Sequence, residues 1–215
     1  MPDRSAVEVV TEALSKATER KERKFPETVE LSVNLKDLDL TVPKNRLEDE
    51  VPLPKGRGRT VKVAVFGSPE LCQKMRGVAD LVVPANELDE FAKDKKNVKK
   101  VVSDVDFFLA EATLMPTIGK RLGVVLGPRG KMPRPVPPGS DPTNLVNALK
   151  RSIRIRSKGN RTFHAPVGTR GMKPEEIALN VDAVLARIVG KLERGRTNIE
   201  SVYVKTTMGP AVRLW

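Results

Sequence analysis

Val61-Lys-Val-Ala-Val-Phe-Gly-Ser-Pro-Glu70 reads as a mostly apolar strand that stops at a glycine and passes directly into a helix, with Ser68 as N-cap and proline at the first helical position. Short apolar runs recur at Leu81–Val83, Phe107–Ala110 and Val124–Leu126, with helical candidates around 70–77, 87–100 and 113–121 between them. Strands apolar on both faces, alternating with helices, predict parallel βαβ units. A Pro/Gly-rich loop, Gly127 to Gly139, and a helix from Asp141 to about Arg151 complete this middle region.

The two ends follow other patterns. Ser5-Ala-Val-Glu8 has the form of a capping box, and Ala6, Val9, Val10, Ala13, Leu14 and Ala17 repeat at helical period. The basic run Arg20, Lys21, Arg23, Lys24 follows, and Pro26 stops the helix. Thr28 to Leu35 alternates Val29, Leu31, Val33 and Leu35 with polar residues, the signature of a strand with one buried face. Residues 36–60 read as irregular, with Pro43, Pro52, Pro54 and the Lys55-Gly-Arg-Gly-Arg59 loop. After Arg156, Arg161 to Ala165 reads as a strand with Phe163 facing in. Pro174 opens a long helix with Ile177, Val181, Val184, Leu185, Ile188 and Leu192 on one face, and a last strand runs from Ile199 to Thr207. Each end holds too little apolar surface to fold separately. The expected fold is an α/β two-domain chain. One split α+β domain is built from both termini, 1–62 and 158–215, and a Rossmann-like α/β domain, 63–157, is inserted in it.

Composition narrows the function classes. Of 215 residues, 39% are hydrophobic and 31% charged, which predicts a globular chain rather than a disordered one. No apolar run approaches the ~20 residues of a membrane span. Met1-Pro2-Asp3-Arg4 leads into an amphipathic stretch rather than a signal-peptide core, so a cytoplasmic chain is expected. The single cysteine, Cys72, and single histidine, His164, leave no disulfide and no Cys/His metal cluster. No Gly-x-Ser-x-Gly elbow, no distinctive carboxylate spacing and no Gly-x-Gly-x-x-Gly after the first middle strand is present, so neither catalysis nor a cofactor is expected. Gly127-Pro-Arg-Gly-Lys131 lacks the spacing of a phosphate loop. Following an apparent strand, it also lacks the helix-to-helix setting of a KH loop.

Charge points to a polyanion. Lys plus Arg total 39 against 27 Asp plus Glu, a net charge of +12. Residues 117–161 hold 11 basic side chains and only Asp141, which predicts a basic face carried by Lys120, Arg121, Arg129, Lys131, Arg134 and Arg154. In the last strand, period two puts Ser201, Tyr203, Lys205 and Thr207 on the face opposite Val202 and Val204, and Met208-Gly-Pro210 follows as a turn. Thr28, Glu30 and Ser32 offer a matching face. Side by side, two such faces make a flat platform of hydroxyls suited to RNA 2′-OH and phosphate groups, with Glu30 able to accept from a ribose hydroxyl or a base amino group. The 8 aromatic residues are few for serial base stacking. Phe66, Phe107, Phe108 and Phe163 are expected in the core, while Phe25 is open to either packing or RNA support.

Four segments carry a resemblance across essentially the whole chain: Lys24-Phe-Pro-Glu-Thr-Val-Glu30, Leu126-Gly-Pro-Arg-Gly-Lys-Met-Pro133, His164-Ala-Pro-Val-Gly168 and Ser201-Val-Tyr-Val-Lys-Thr-Thr-Met-Gly-Pro210. The chain resembles the ribosomal protein L-one family, the side-stalk protein of the large subunit, in its archaeal form. The resemblance implies two domains joined by a hinge and binding to the stalk of large-subunit rRNA. It implies help in releasing deacylated tRNA from the exit site, and repression of the protein's own mRNA. It further implies a ribosome-associated protein, monomeric outside the ribosome, without cofactor, metal or membrane. It places the RNA surface on the split domain, at Lys24, Phe25, Glu27, Thr28, Glu30, Ser201, Thr207, Met208 and Gly209, with Lys158 and His164 as secondary candidates. Ser32, Tyr203 and Lys205 join them on the platform face. The alternative is a regulatory mRNA-binding protein without a ribosomal role. The linear charge count and the resemblance therefore point to different regions of the chain.

Overall fold

The structure is a computed structural model that describes residues 4–20 and 23–215, without the side chains of Glu19, Arg20 and Lys95. Met1 to Asp3 and the Lys21 of the predicted basic run lie outside the described residues. In chain order the elements are α1 Ala6–Arg20, β1 Thr28–Leu35, β2 Glu48–Pro52, β3 Val63–Gly67, α2 Pro69–Met75, β4 Leu81–Pro84, α3 Leu88–Lys93, α4 Lys95–Asp104, β5 Phe107–Glu111, α5 Met115–Leu126, β6 Arg134–Val136, α6 Thr143–Lys150, β7 Ser152–Arg156, β8 Thr162–Thr169, α7 Pro174–Lys191, β9 Ile199–Thr206 and β10 Val212–Arg213. The fold is mixed α/β with several sheets. The chain divides into two compact units, one of Met1–Arg59 with Arg151–Trp215 and one of Thr60–Lys150.

The first unit is organised by an antiparallel sheet in the order β10-β9-β1-β8. Alternation in β1 buries Val29, Leu31, Val33 and Leu35, and their neighbours Phe163, Ala165, Val167, Val202 and Val204 lie on the same face. Against that face pack the apolar stripe of α1 (Val9, Val10, Ala13) and that of α7 (Ile177, Val181, Val184, Leu185, Ile188). Both helices use the 3.6-residue period read from the sequence.

Residues 48–52, expected to be irregular, form β2, and residues 152–156 form its antiparallel partner β7. Glu48 stands opposite Arg156 and Glu50 opposite Arg154, with ion pairs of 2.6 and 2.8 Å. Asp49 pairs with Arg187 (2.6 Å) and Lys191 (3.3 Å) of α7. Burial pushes the Asp49 carboxyl up, and those two cations outweigh it and hold it below the ordinary carboxylate range. An acidic strand with a terminal proline reads as loop. It is a strand because its complement, Ser-Ile-Arg-Ile-Arg, lies a hundred residues away. The same pairing assigns β7 to the first unit, so the division falls at Lys150/Arg151 and Arg59/Thr60, where the sequence predicted 157/158 and 62/63.

The second unit has a parallel sheet in the order β4-β3-β5-β6. Its strands are covered on both sides. Leu71, Met75, Val146 and Leu149 of α2 and α6 pack on Val63, Val65, Phe107 and Leu109. Leu88, Val98, Val102, Ile118, Leu122 and Leu126 of α3, α4 and α5 pack on Ala64, Phe66, Phe108 and Ala110. Ser68 caps α2 as expected, accepting from the Leu71 amide at 3.5 Å. The expected helix at 87–100 is two helices, because Asp94 accepts from the Lys96 and Asn97 amides and starts α4 anew.

Val124–Leu126, read as a strand, is the last turn of α5. Gly123-Val-Val-Leu126 satisfies either period over four residues, and the i, i+4, i+8 series Ile118, Leu122, Leu126 decides for helix by burying one face. The fourth strand is instead β6, inside the stretch read as a Pro/Gly loop. With Leu122 in the buried stripe of α5, Leu122→Ala is expected to cost about 2–5 kcal/mol in urea unfolding. Val124→Ala, at a side chain 83% exposed, stays within about 0.5 kcal/mol. A strand at 124–126 would make Val124 the costlier change.

Candidate nucleic-acid interface

Period two leaves the face of the β9-β1-β8 sheet opposite the helices lined with polar groups in rows set by register. Ser201, Asn34 and Thr162 form one row: Asn34 Nδ2 donates to Ser201 Oγ and Thr162 Oγ1 donates to Asn34 Oδ1, each at 2.7 Å. Tyr203, Ser32 and His164 form the next, with Ser32 Oγ 2.7 Å from His164 Nδ1. Lys205 and Pro166 flank Glu30 in the third. Beyond it, Thr28 is opposite Thr169, and Thr207 closes onto Thr28 from the other side. The Thr207 hydroxyl accepts from the Thr28 amide (3.1 Å) and donates to the Thr28 carbonyl (3.2 Å). The two polar faces inferred from sequence are thus neighbours in one sheet. Thr28, Glu30, Ser32, Tyr203 and Lys205 are half-buried there and His164 is exposed.

At the Thr28 end the chain builds a loop around a buried charge. Glu27 is 1% exposed. Its Oε1 accepts from the Met208 amide (3.0 Å) and the Thr206 hydroxyl (3.3 Å), and Arg170 Nη1 reaches Oε2 at 3.4 Å. Gly209 donates to the same Thr206 hydroxyl at 3.0 Å, and a Cβ on Gly209 would collide with that oxygen. The outcome is an exposed Met208 (51%) beside the segment carrying exposed Lys24 and Phe25 (49%). Phe25 is therefore not core packing, while Phe66, Phe107, Phe108 and Phe163 are all buried.

Two expected contact residues are corrected by this geometry. Glu27 is sealed under the Met208 loop and holds it in place; it offers no surface to a ligand. Ser201, 7% exposed, is likewise spent on Asn34. Lys158 is exposed at a left-handed φ of 50°, in the turn before β8. It sits at the Thr162 end of the sheet, about 20 Å of strand from Met208 at ~3.3 Å per residue. Thr169 joins the face through register, which no local window contains, whereas Asn34 follows from the alternation of β1 alone.

The expected basic face also changes. Lys131 donates from Nζ to the Val102 and Val105 carbonyls (2.7 and 2.6 Å) and closes the C-terminal end of α4. Arg154 is ion-paired with Glu50 on β7, in the first unit. Lys120 and Arg121 on α5, Arg129 in the following turn and Arg134 on β6 are exposed. Arg121 meets Asp89 at 3.4 Å with both side chains more than half exposed, a weak pair. The 117–161 window straddled the unit boundary. Counted by unit, the first holds 25 basic and 17 acidic side chains (net +8) and the second 14 and 10 (net +4). Two-thirds of the positive excess lies in the unit that carries the polar face.

In the second unit the Ser68 amide at the end of β3 donates to Glu111 Oε2 at 2.9 Å. Gly127–Gly130 follows helix α5 rather than a strand, but leads into β6, so it remains a turn and not a helix-to-helix loop. Among the described residues no group of three His, Cys, Asp or Glu is placed to hold a metal, and no helix is long and apolar enough to cross a membrane.

Comparison with known proteins places a chain of this architecture among the ribosomal proteins. Residues 15–210 match the family described as Ribosomal protein L1p/L10e family, and the chain belongs to that family. Three of its archaeal relatives, each named Large ribosomal subunit protein uL1, show how evenly the similarity runs. That of Thermoplasma volcanium is 58% identical over 193 residues, covering 90% of this chain and 89% of its own. That of Methanocella arvoryzae is 51% identical over 215 residues and the whole of both chains. That of Pyrococcus abyssi is 50% identical over 209 residues, 97% of this chain and 94% of its own. The family is one of structural ribosomal proteins, not enzymes.

Glu27→Ala leaves the Met208 amide, the Thr206 hydroxyl and Arg170 without their acceptor, and is expected to cost about 2–4 kcal/mol in chemical unfolding. Lys24→Ala, on the exposed side of the same segment, is expected to stay within about 0.5 kcal/mol. Equal effects would mean that the carboxylate does not anchor the loop.

Proposed function

We propose that this protein is a structural component of the large ribosomal subunit, ribosome-associated in the cytoplasm, that binds a folded stalk of large-subunit rRNA through the open face of β9-β1-β8. In this reading Lys24, Phe25, Thr28, Glu30, Ser32, Tyr203, Lys205, Thr207, Met208 and Gly209 meet the RNA, His164 and Lys158 meet it further along the sheet, and Glu27 and Ser201 hold neighbours in place. The two compact units act as two domains, the Thr60–Lys150 unit a Rossmann-like insert whose Lys120, Arg121, Arg129 and Arg134 add long-range attraction. The protein assists release of deacylated tRNA from the exit site and represses translation of its own mRNA through a site that mimics the rRNA.

One observation carries the reading: the rigid polar face ends in a Met208–Gly209 loop pinned from beneath by a buried carboxylate. Such a surface presents hydroxyls, one carboxylate beside Lys205, a histidine and an apolar tip at fixed spacing. That suits recognition of RNA shape and 2′-hydroxyls more than of sequence. The family's ribosomal membership supports RNA as the polyanion that the +12 charge calls for.

Met208→Asp places a charge at the exposed tip without touching a buried contact. It is expected to weaken binding to a stalk rRNA fragment by about thirtyfold, roughly 2 kcal/mol, with an unchanged unfolding midpoint. Wild-type affinity would show the interface to be elsewhere. Ribosome co-sedimentation separates this role from that of a regulatory mRNA-binding protein, which would bind its message and stay off the subunit.

A further inference from the structure

The row of hydroxyls at the Thr28 end does not stop at the edge of the sheet. Thr207, Thr28 and Thr169 stand side by side across β9, β1 and β8, and Thr169 Oγ1 donates onward to the Gly58 carbonyl at 3.4 Å. Gly58 belongs to Lys55-Gly-Arg-Gly-Arg59, a loop with three cations in five residues. Its position is built from both sides. A Cβ on Gly58 would collide with Thr169 Oγ1 and lie 2.6 Å from Met172 Sδ, and its φ of 74° is left-handed, as is Gly56 at 68°. Beneath it, Asn180 is fully buried. Its Oδ1 accepts from the Lys55 amide (3.0 Å), and its Nδ2 donates to the Gly56 and Val167 carbonyls (2.8 Å each). A buried asparagine with its carbonyl and both amide hydrogens engaged is a costly device for holding a loop with no role.

The geometry points to this loop as a second wall of the RNA interface, a phosphodiester-binding rim set one strand-spacing beyond β8 and continuous with the threonine row. Lys55 and Arg59 are exposed and Arg57 is half-buried. At ~4.8 Å per strand step, the rim lies about 15 Å across the sheet from Thr207. The platform then supplies short-range fit, and the rim adds cations to a face on which Lys205 stands opposite Glu30. Asn180 and Thr169 are positioning residues, acting through the loop. The inference rests on the proposed reading of the sheet face as an RNA surface.

The test is a salt series of binding to a stalk rRNA fragment and to a scrambled hairpin, with three variants of the full chain whose folding is checked by thermal unfolding. The first removes the rim charge (Lys55→Ala, Arg57→Ala, Arg59→Ala). The second removes the same charge from α4 of the other unit (Lys96→Ala, Lys99→Ala, Lys100→Ala). The third, Gly58→Ala, keeps every cation and displaces the loop. The rim triple is expected to lose at least about tenfold in affinity for the fragment, and its salt slope to fall by ~0.7–0.9 per lost phosphate contact. The α4 triple is expected to lose less than about threefold, and Gly58→Ala to fall between them. Equal losses in the two triples would overturn the inference, since net charge alone would then account for them, and so would wild-type binding by the rim triple or by Gly58→Ala. A wild-type chain that fails to prefer the fragment would overturn the underlying reading instead.

Discussion

Strand β1 is the constraint on which the first unit depends. It comes from the beginning of the chain, and both of its neighbours, β8 and β9, come from the end. The hydrogen bonds of a central strand need partners on each side, since a buried amide left unpaired costs about 1–3 kcal/mol. The unit therefore cannot close until the whole intervening segment has been made, and the parallel-sheet unit of Thr60–Lys150 is looped out between its halves. The same strand fixes the functional geometry. Because its side chains alternate, burying Val29, Leu31, Val33 and Leu35 beneath two helices turns Thr28, Glu30, Ser32 and Asn34 outward in a straight row.

The second layer of control is a set of buried or half-buried polar groups that position others. Glu27 is nearly inaccessible, yet it fixes where Met208 points. Asn180 does the same for the 55–59 loop, Lys131 for the end of α4, and Glu111 for the mouth of the parallel sheet. Desolvating a polar or charged group is costly unless its partners are good, and Glu27, Asn180 and Lys131 each engage several partners at once. In the proposed reading, a platform built this way meets RNA with little left to order, which lowers the entropic cost of binding.

Much of this was legible in the sequence, and the reasons for the rest are specific. The alternation in Thr28–Leu35 and Ile199–Thr206, the stripe of α7 and the Ser68-Pro69 helix start are local signals, and the structure follows them closely. Strand β2 was hidden because an acidic strand is stable only opposite arginines a hundred residues away. Four residues, Gly123-Val-Val-Leu126, are too few to tell a strand from a helix end. The charges of Glu27, Lys131 and Arg154 were visible but their partners were not, so each read as surface. The linear window that put the positive charge in the middle of the chain crossed a unit boundary that only the β2–β7 pairing reveals.

In the proposed reading a register-built polar face confers recognition while charge confers attraction. This division of roles is tested most directly by titrating the wild-type chain against a stalk rRNA fragment and a scrambled hairpin over a range of salt. The preference for the fragment is expected to persist as salt rises, with a shallower slope than the hairpin's. Indistinguishable binding to both RNAs, with log K falling by ~0.7–0.9 per phosphate contact per decade of salt, would contradict it, leaving only a basic surface at work.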